Sequence, residues 1–340
     1  MRIFVYEFVT GGGLLSAGLQ EVPPPSLRRE GAAMITALAT DFAATEGTHV
    51  LVMWDPRFGD VRLPAVDVRR VESQREEAAT FDELAGSADW TVVIAPESSN
   101  HLLDRCCRVE ACGGRLLGPS PEVVRRTSDK HLAAESLALS GLPVPDGQPI
   151  DPGQDLPPDF GYPAVLKPRL GAGSEEVRLV HGPWGAVDRP SRLEPFCPGL
   201  SASVSMLCGP AGHVALPPCR QRLSGDGRFV YSGGSLPLPE RLAGRAIALA
   251  RQAIEALPHP TGYLGVDLVL GEDPNGGDDK VIEVNPRLTT SYVGLRAATK
   301  PPTNLAASMV AVSCGRPAEL CFRQVSVEFD ADGTARESAR

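Results

Sequence analysis

Hydrophobic positions in the first 120 residues fall into three dense runs separated by amphipathic stretches. Arg2–Val9 is rich in Ile, Phe, Val and Tyr and runs into Thr10-Gly11-Gly12-Gly13, which predicts a buried strand ending in a loop. Leu27, Met34, Ile35, Leu38 and Phe42 recur at helical spacing, so a helix is expected from Ser26, as N-cap, to about Thr45. His49–Asp55 and Trp90–Glu97 read as further strands, with a helix around Glu72–Leu84 between them. Strand, helix and strand in this order argue for an open α/β sheet.

Downstream the pattern changes. Thr127–Leu139 has helical character, and a proline-punctuated connection leads to short strands at Tyr162–Pro168 and Glu176–Val180, the start of a small lobe. SASVSML, HVALPP and RFVYSGG then alternate with loops. Arg241–Leu257 is the clearest helix, feeding a strand at Tyr263–Leu270, the turn DPNGGDD and a returning strand KVIEVNP. The charged, alanine-rich end from Asp330 reads as a frayed tail.

With 340 residues, 42% hydrophobic, the chain can bury a substantial core in two or three domains. A formal charge of -9 argues against a general nucleic-acid binder. The eight cysteines lack paired CxxC spacing, so reduced, mostly buried thiols are expected. Glu7 interrupts the first apolar run, and no stretch reaches the ~20 residues that span a bilayer. No membrane partner and a cytoplasmic location are the expectations.

Candidate chemistry gathers on the last predicted hairpin. Along an extended VIEVNPR, Glu283 and Asn285 face the same way roughly 6–7 Å apart, and Asp267 on the other arm can join them as oxygen ligands for a hard cation. Lys167 ends an apolar strand just before GAGSEEV, where Gly171, Gly173 and Ser174 could fold backbone N–H groups over phosphates. No GxxxxGK[ST] is present, so this is not a P-loop. Lys130 opens an amphipathic helix.

These residues, in this order, resemble the ATP-grasp ligases. The resemblance covers roughly residues 121–320 and implies an α/β (α+β) chain with an N-terminal open α/β pre-ATP-grasp domain (1–120), a small central lobe (121–192), a catalytic lobe with the magnesium site (193–325) and a flexible tail (326–340). It implies ATP and two Mg2+ ions, with Mn2+ an admissible substitute, held by Asp267, Glu283 and Asn285. Lys130 and Lys167 would reach the phosphates. LEPFCPG suggests Glu194 as acceptor of the adenine amino group, with Phe196 and Cys197 as the linker. Ser201 stands where related enzymes place a ribose-binding glutamate, which leaves the ribose contacts open. Arg287, with Arg220 as a second candidate, would steady the transferring phosphoryl group, and Lys167 joins them as a catalytic residue.

A narrower likeness, in VYEFVTGGGL, CRQRLSGDGRFVYSGGSLPLP and TSYVGLRAAT, is to the tyramine–glutamate ligase group. It implies amide formation through an acyl phosphate, with an amino acid such as L-glutamate and an amine such as tyramine as small-molecule partners. The substrate candidates are Glu7, Gly11, Gly12, Gly13, Glu30, Gln221, Tyr231, Gly233 and Gly234; Glu30 reads equally well as an outward helix residue. A ligase for other amines or amino acids, and a nucleotide-binding regulator without turnover, are the alternative classes. A homodimer is left open.

Overall fold

The computed structural model describes residues 1–18, 25–59, 61, 63, 65–173 and 176–338. The side chain of Ser26 and residue Ser174 lie outside the described residues. The N-terminal domain runs β1 (Arg2–Glu7), α1 (Gly13–Ser16), α2 (Pro25–Ala43), β2 (His49–Trp54), β3 (Val66–Arg70), α3 (Gln74–Ser87), β4 (Trp90–Ile94) and α4 (His101–Ala111). Its sheet is parallel, in the order β3-β2-β1-β4. Ile3, Val5, Val50 and Val52 pack with Ile35, Leu38 and Phe42 of α2, while the alternate residues Phe4, Tyr6, Leu51 and Met53 pack with Phe81 and Val109 on the opposite face. Burial on both faces explains why these strands read as unbroken apolar runs.

The single helix expected over 127–139 is two helices, α5 (Pro121–Ser128) and α6 (Lys130–Leu139). Asp129 is extended between them and its carboxylate caps α6, accepting from the N–H groups of His131 and Leu132. The cap places Lys130 at the first turn, facing the next lobe. That lobe contains β5 (Gln148–Ile150), β6 (Ala164–Pro168), β7 (Arg178–Val180) and β8 (Ser191–Pro195), antiparallel in the order β5-β8-β6-β7. Since β8 belongs to this sheet, the lobe extends to Pro195 rather than stopping at 192.

The last lobe comprises β9 (Leu200–Gly209), β10 (Gly212–Ala215), β11 (Cys219–Leu223), β12 (Tyr231–Leu236), α7 (Glu240–Glu255), β13 (Gly262–Leu270), β14 (Lys280–Asn285), α8 (Ser291–Ala298), α9 (Leu305–Ser313), β15 (Ser326–Asp330) and β16 (Ala335–Ser338). Its sheet has the order β14-β13-β9-β11-β12-β15-β16, with β10 on β9. Ala246, Leu249, Ala250 and Ala253 of α7 cover one face, packing with Val204, Leu264 and Val266. On the other side Tyr292, Leu295 and Met309 share a core with Ile35 and Leu38 of α2, so this lobe and the N-terminal domain are joined by one hydrophobic cluster.

Three expectations are corrected here. The presumed tail at 326–340 forms β15 and β16 over its described residues, and Val327 and Phe329 are buried. Gly233 and Gly234 do not line a substrate pocket but admit β15: a Cβ on Gly233 would lie 2.0 Å from the Phe329 carbonyl oxygen, and one on Gly234 would lie 2.4 Å from that of Arg220. All eight thiols are free, but Cys107, Cys314 and Cys321 are exposed rather than buried. No helix among the described residues is long and apolar enough to cross a membrane.

Candidate active site

A cavity of about 430 Å3 lies where the three sheets meet, within the range of small-molecule sites. Its floor is the β13–β14 hairpin. The register sets Asp267 opposite Glu283 and Gly265 opposite Asn285, so all three polar side chains share one face. Asp267 accepts from Asn285 Nδ2 at 3.0 Å and from Gln221 Nε2 at 2.9 Å. Glu283 pairs with Lys130 Nζ at 2.7 Å, and Lys130 also donates to the Gly171 carbonyl at 3.0 Å.

Two carboxylates facing each other across a ladder repel. Burial, reinforced by Glu283, pushes the Asp267 carboxyl up to about 7. For Glu283 burial acts in the same direction, but Lys130 and Lys167 outweigh it and hold its carboxyl below the ordinary value. Oxygen-only donors carrying repelling charge fit a hard divalent cation. Among the described residues no group of three or more His, Cys, Asp or Glu is set to hold a metal. The set is two carboxylates and an amide, which phosphate and water oxygens would complete.

Lys167 enters from β6. Its Nζ lies 2.6 Å from Glu194 Oε1, and Arg192 Nε lies 2.8 Å from Glu194 Oε2. Arg192 also meets His131 Nδ1 at 2.8 Å and donates to the Pro145 carbonyl at 2.7 Å. His131 is buried, and burial lowers its pKa, which favours the uncharged ring beside the Arg192 guanidinium. Both Glu194 oxygens thus carry cationic partners, so its first task here is to orient Lys167. Gly171, Gly173, Phe196, Cys197 and Ser201 line the same cavity. Gly173 has φ 65°, a left-handed conformation suited to glycine.

The N-terminal domain forms the opposite wall, at the carboxyl ends of β1 and β4, where open α/β sheets bind ligands. Arg287 is paired with both oxygens of Glu97, at 3.0 and 3.2 Å. Glu7, Glu30 and Tyr231 also line the cavity. Glu7 is held in its own turn by Val9 N, Thr10 N and Thr10 Oγ1, and burial raises its pKa.

Besides Gly233 and Gly234, four of the expected residues fall elsewhere. Gly11, Gly12 and Gly13 are buried in the turn after β1, where Gly11 and Gly13 donate to the Glu7 and Phe8 carbonyls and pack too tightly for a Cβ. Arg220 is exposed, because strand alternation turns it to the face opposite Gln221. Sequence reasoning missed Gly31 and Met34 of α2 and the hydroxyls of Ser203, Thr289, Thr290 and Ser291. Only the TTS that follows NPRL hints at the last group.

The pre ATP-grasp 3 domain family matches residues 48–124, and the ATP-grasp domain family matches residues 127–291. Tyramine–L-glutamate ligase of Methanocaldococcus jannaschii is 22% identical over 320 residues, covering 94% of this chain and 92% of that protein. An ATP-grasp superfamily protein from Archaeoglobus fulgidus superposes with TM-score 0.72 at 22% identity, over 96% and 92% of the two chains. Biotin carboxylase from Campylobacter jejuni, in complex with a β-γ-ATP ligand, does so with TM-score 0.67 at 16% identity, over 96% and 74%. The cavity, its hairpin carboxylates and the two consecutive family matches agree: this chain belongs to the ATP-grasp superfamily of enzymes.

Proposed function

We propose that this protein is an ATP-dependent carboxylate–amine ligase working through an acyl phosphate, with L-glutamate and tyramine as its leading substrate pair. The observation that carries this reading is the convergence of Lys130, Lys167, Asp267, Glu283, Asn285 and Arg287 on one cavity that also opens onto an N-terminal domain wall. The 22% identity to tyramine–L-glutamate ligase along almost the whole of both chains supports the finer assignment.

A carboxylate is a poor electrophile because its oxygen leaves badly. Attack of a carboxylate oxygen on the γ-phosphorus forms the acyl phosphate and releases ADP; attack of an amine nitrogen on the carbonyl then forms the amide and releases phosphate, which takes up the surplus proton. Lys167, oriented by Glu194, and Lys130 supply fixed positive charge to the phosphates. Asp267, Glu283 and Asn285 would hold Mg2+, which when bound draws charge from the β- and γ-phosphates. Arg287 presents its guanidinium from the strand end, held in place by Glu97, where it can stabilise the charge of the transferring phosphoryl group. Gln221 holds Asp267 in the orientation the ligand set requires.

Nucleotide release with tyramine plus L-glutamate, compared with a panel of other acids and amines, tests the proposal. ADP and phosphate formed in step with one amide product are expected. AMP formation, or nucleotide turnover indifferent to both acid and amine, would reject it.

A further inference from the structure

The face that α2 turns to the cavity has a pattern the reaction described so far does not use. Leu27, Glu30, Gly31 and Met34 stand at i, i+3, i+4 and i+7, one helical face, and all four line the cavity. Along this stripe the only charge is a carboxylate. Glu30 has no hydrogen-bond or ion-pair partner among the described residues, unlike Glu7, Glu97, Glu194 and Glu283, each of which is held by named donors. Glu30 lines the same cavity as Arg287 and Tyr231, and burial raises its pKa, with Arg287 opposing the shift.

Gly31 adds an independent observation. Glycine inside a helix is disfavoured relative to alanine. Here a Cβ would lie 2.6 Å from the Glu7 carboxylate, so the helix gives up propensity to let the end of β1 approach beside Glu30. Val9, Ile94, Ala95 and Pro96 continue the apolar wall from the ends of β1 and β4. A half-buried free carboxylate within an apolar surface suits an ammonium group attached to an apolar body. The carboxylate that is activated needs the opposite charge, found beside the phosphates on the other side of the cavity, where Arg287 stands.

Resting on the ligase reading above, we infer that the α2 face is the docking site for the nucleophile: Glu30 anchors the ammonium of a primary amine whose apolar or aromatic body lies against Leu27, Met34 and Val9, and takes one proton from it so that the nitrogen attacks as the neutral amine. Selectivity for the amine thus resides in the N-terminal domain, and activation of the acid in the other two lobes.

The test compares two nucleophiles, each with L-glutamate and ATP. Tyramine carries an ammonium; hydroxylamine is uncharged at neutral pH and traps an acyl phosphate as a hydroxamate without needing an ammonium anchor. In Glu30→Gln, kcat/KM for tyramine is expected to fall roughly thirtyfold, as for loss of a charged hydrogen-bond partner, while hydroxamate formation changes by less than about threefold. An unchanged tyramine value would overturn the assignment of Glu30, and so would parallel loss of both activities, which would place Glu30 on the acid or in the scaffold. Absence of hydroxamate with the unaltered enzyme would instead overturn the ligase reading on which this inference stands.

Discussion

Glu194→Gln should damage the small lobe more than removal of the lysine that Glu194 orients. Its carboxylate is shared by Lys167 and Arg192, and all three side chains are no more than 5% exposed. A glutamine leaves two buried cations facing a neutral amide, only one end of which can accept. Breaking a buried pair in this way costs about 3–5 kcal/mol, a large part of the roughly 5–15 kcal/mol that stabilises a typical domain. The lobe has little in reserve, since its core is Ile150, Leu156, Ala164, Val180 and Leu193. Lys167→Met removes one cation and leaves Glu194 paired with Arg192, so the loss of structure should be smaller although phosphate binding suffers. Hydrogen exchange followed by mass spectrometry over 148–195 reads this directly. Faster exchange in Glu194→Gln than in Lys167→Met, with the N-terminal domain unaffected, is expected. Equal protection in the two variants would refute the argument that Glu194 is the keystone of the pair.

Two further outcomes follow from the geometry. Gly234→Ala places a methyl 2.4 Å from a backbone oxygen and 2.9 Å from the Phe329 ring, so it should lower stability by about 1–3 kcal/mol in urea unfolding while leaving the KM for each substrate unchanged; a selective rise in one KM would return this glycine to the pocket. Asp267, held at about 7, binds a proton in the folded apoprotein that an unfolded Asp, with a pKa of about 3.9, has already released. This site's contribution to stability is therefore full below the unfolded value and lost as pH rises through about 7. A cation needs the ionised form, so Mn2+ affinity should rise with pH up to about 7, with proton release on binding below that point in calorimetry; a pH-independent affinity would disconnect Asp267 from the metal.

Much of this site was legible because its signals are local. Glu283 and Asn285 are two apart on one strand, and the turn DPNGGDD returns that strand to Asp267, so alternation alone puts them on one face. The buried strands of the N-terminal domain announced themselves as apolar runs. Non-local pairings did not. β15 is a short, partly charged strand, covered at the sheet edge by β16, whose place depends on two glycines some 90 residues earlier, and no periodicity in SVEFD shows that. Arg220 was misplaced by parity: adjacent to Gln221 in sequence, it points to the other side of the sheet. Glu194 looked available for adenine because nothing nearby reveals Lys167, which reaches it only through the β6–β8 pairing. Glycines near a site were read as ligand-binding, whereas Gly11, Gly233 and Gly234 admit a close backbone carbonyl, and Gly12 and Gly13 make room for the side chains of Val71 and Phe8.

Occupancy of the hairpin by divalent cations in the presence of nucleotide is the most direct check on the central claim. Mn2+ titrated by electron paramagnetic resonance, with a non-hydrolysable ATP analogue at saturation, should show two bound ions per chain in the unaltered protein. Glu283→Gln should bind no more than one, at reduced affinity, and should not turn over ATP. Full Mn2+ occupancy and undiminished turnover in that variant would contradict the account.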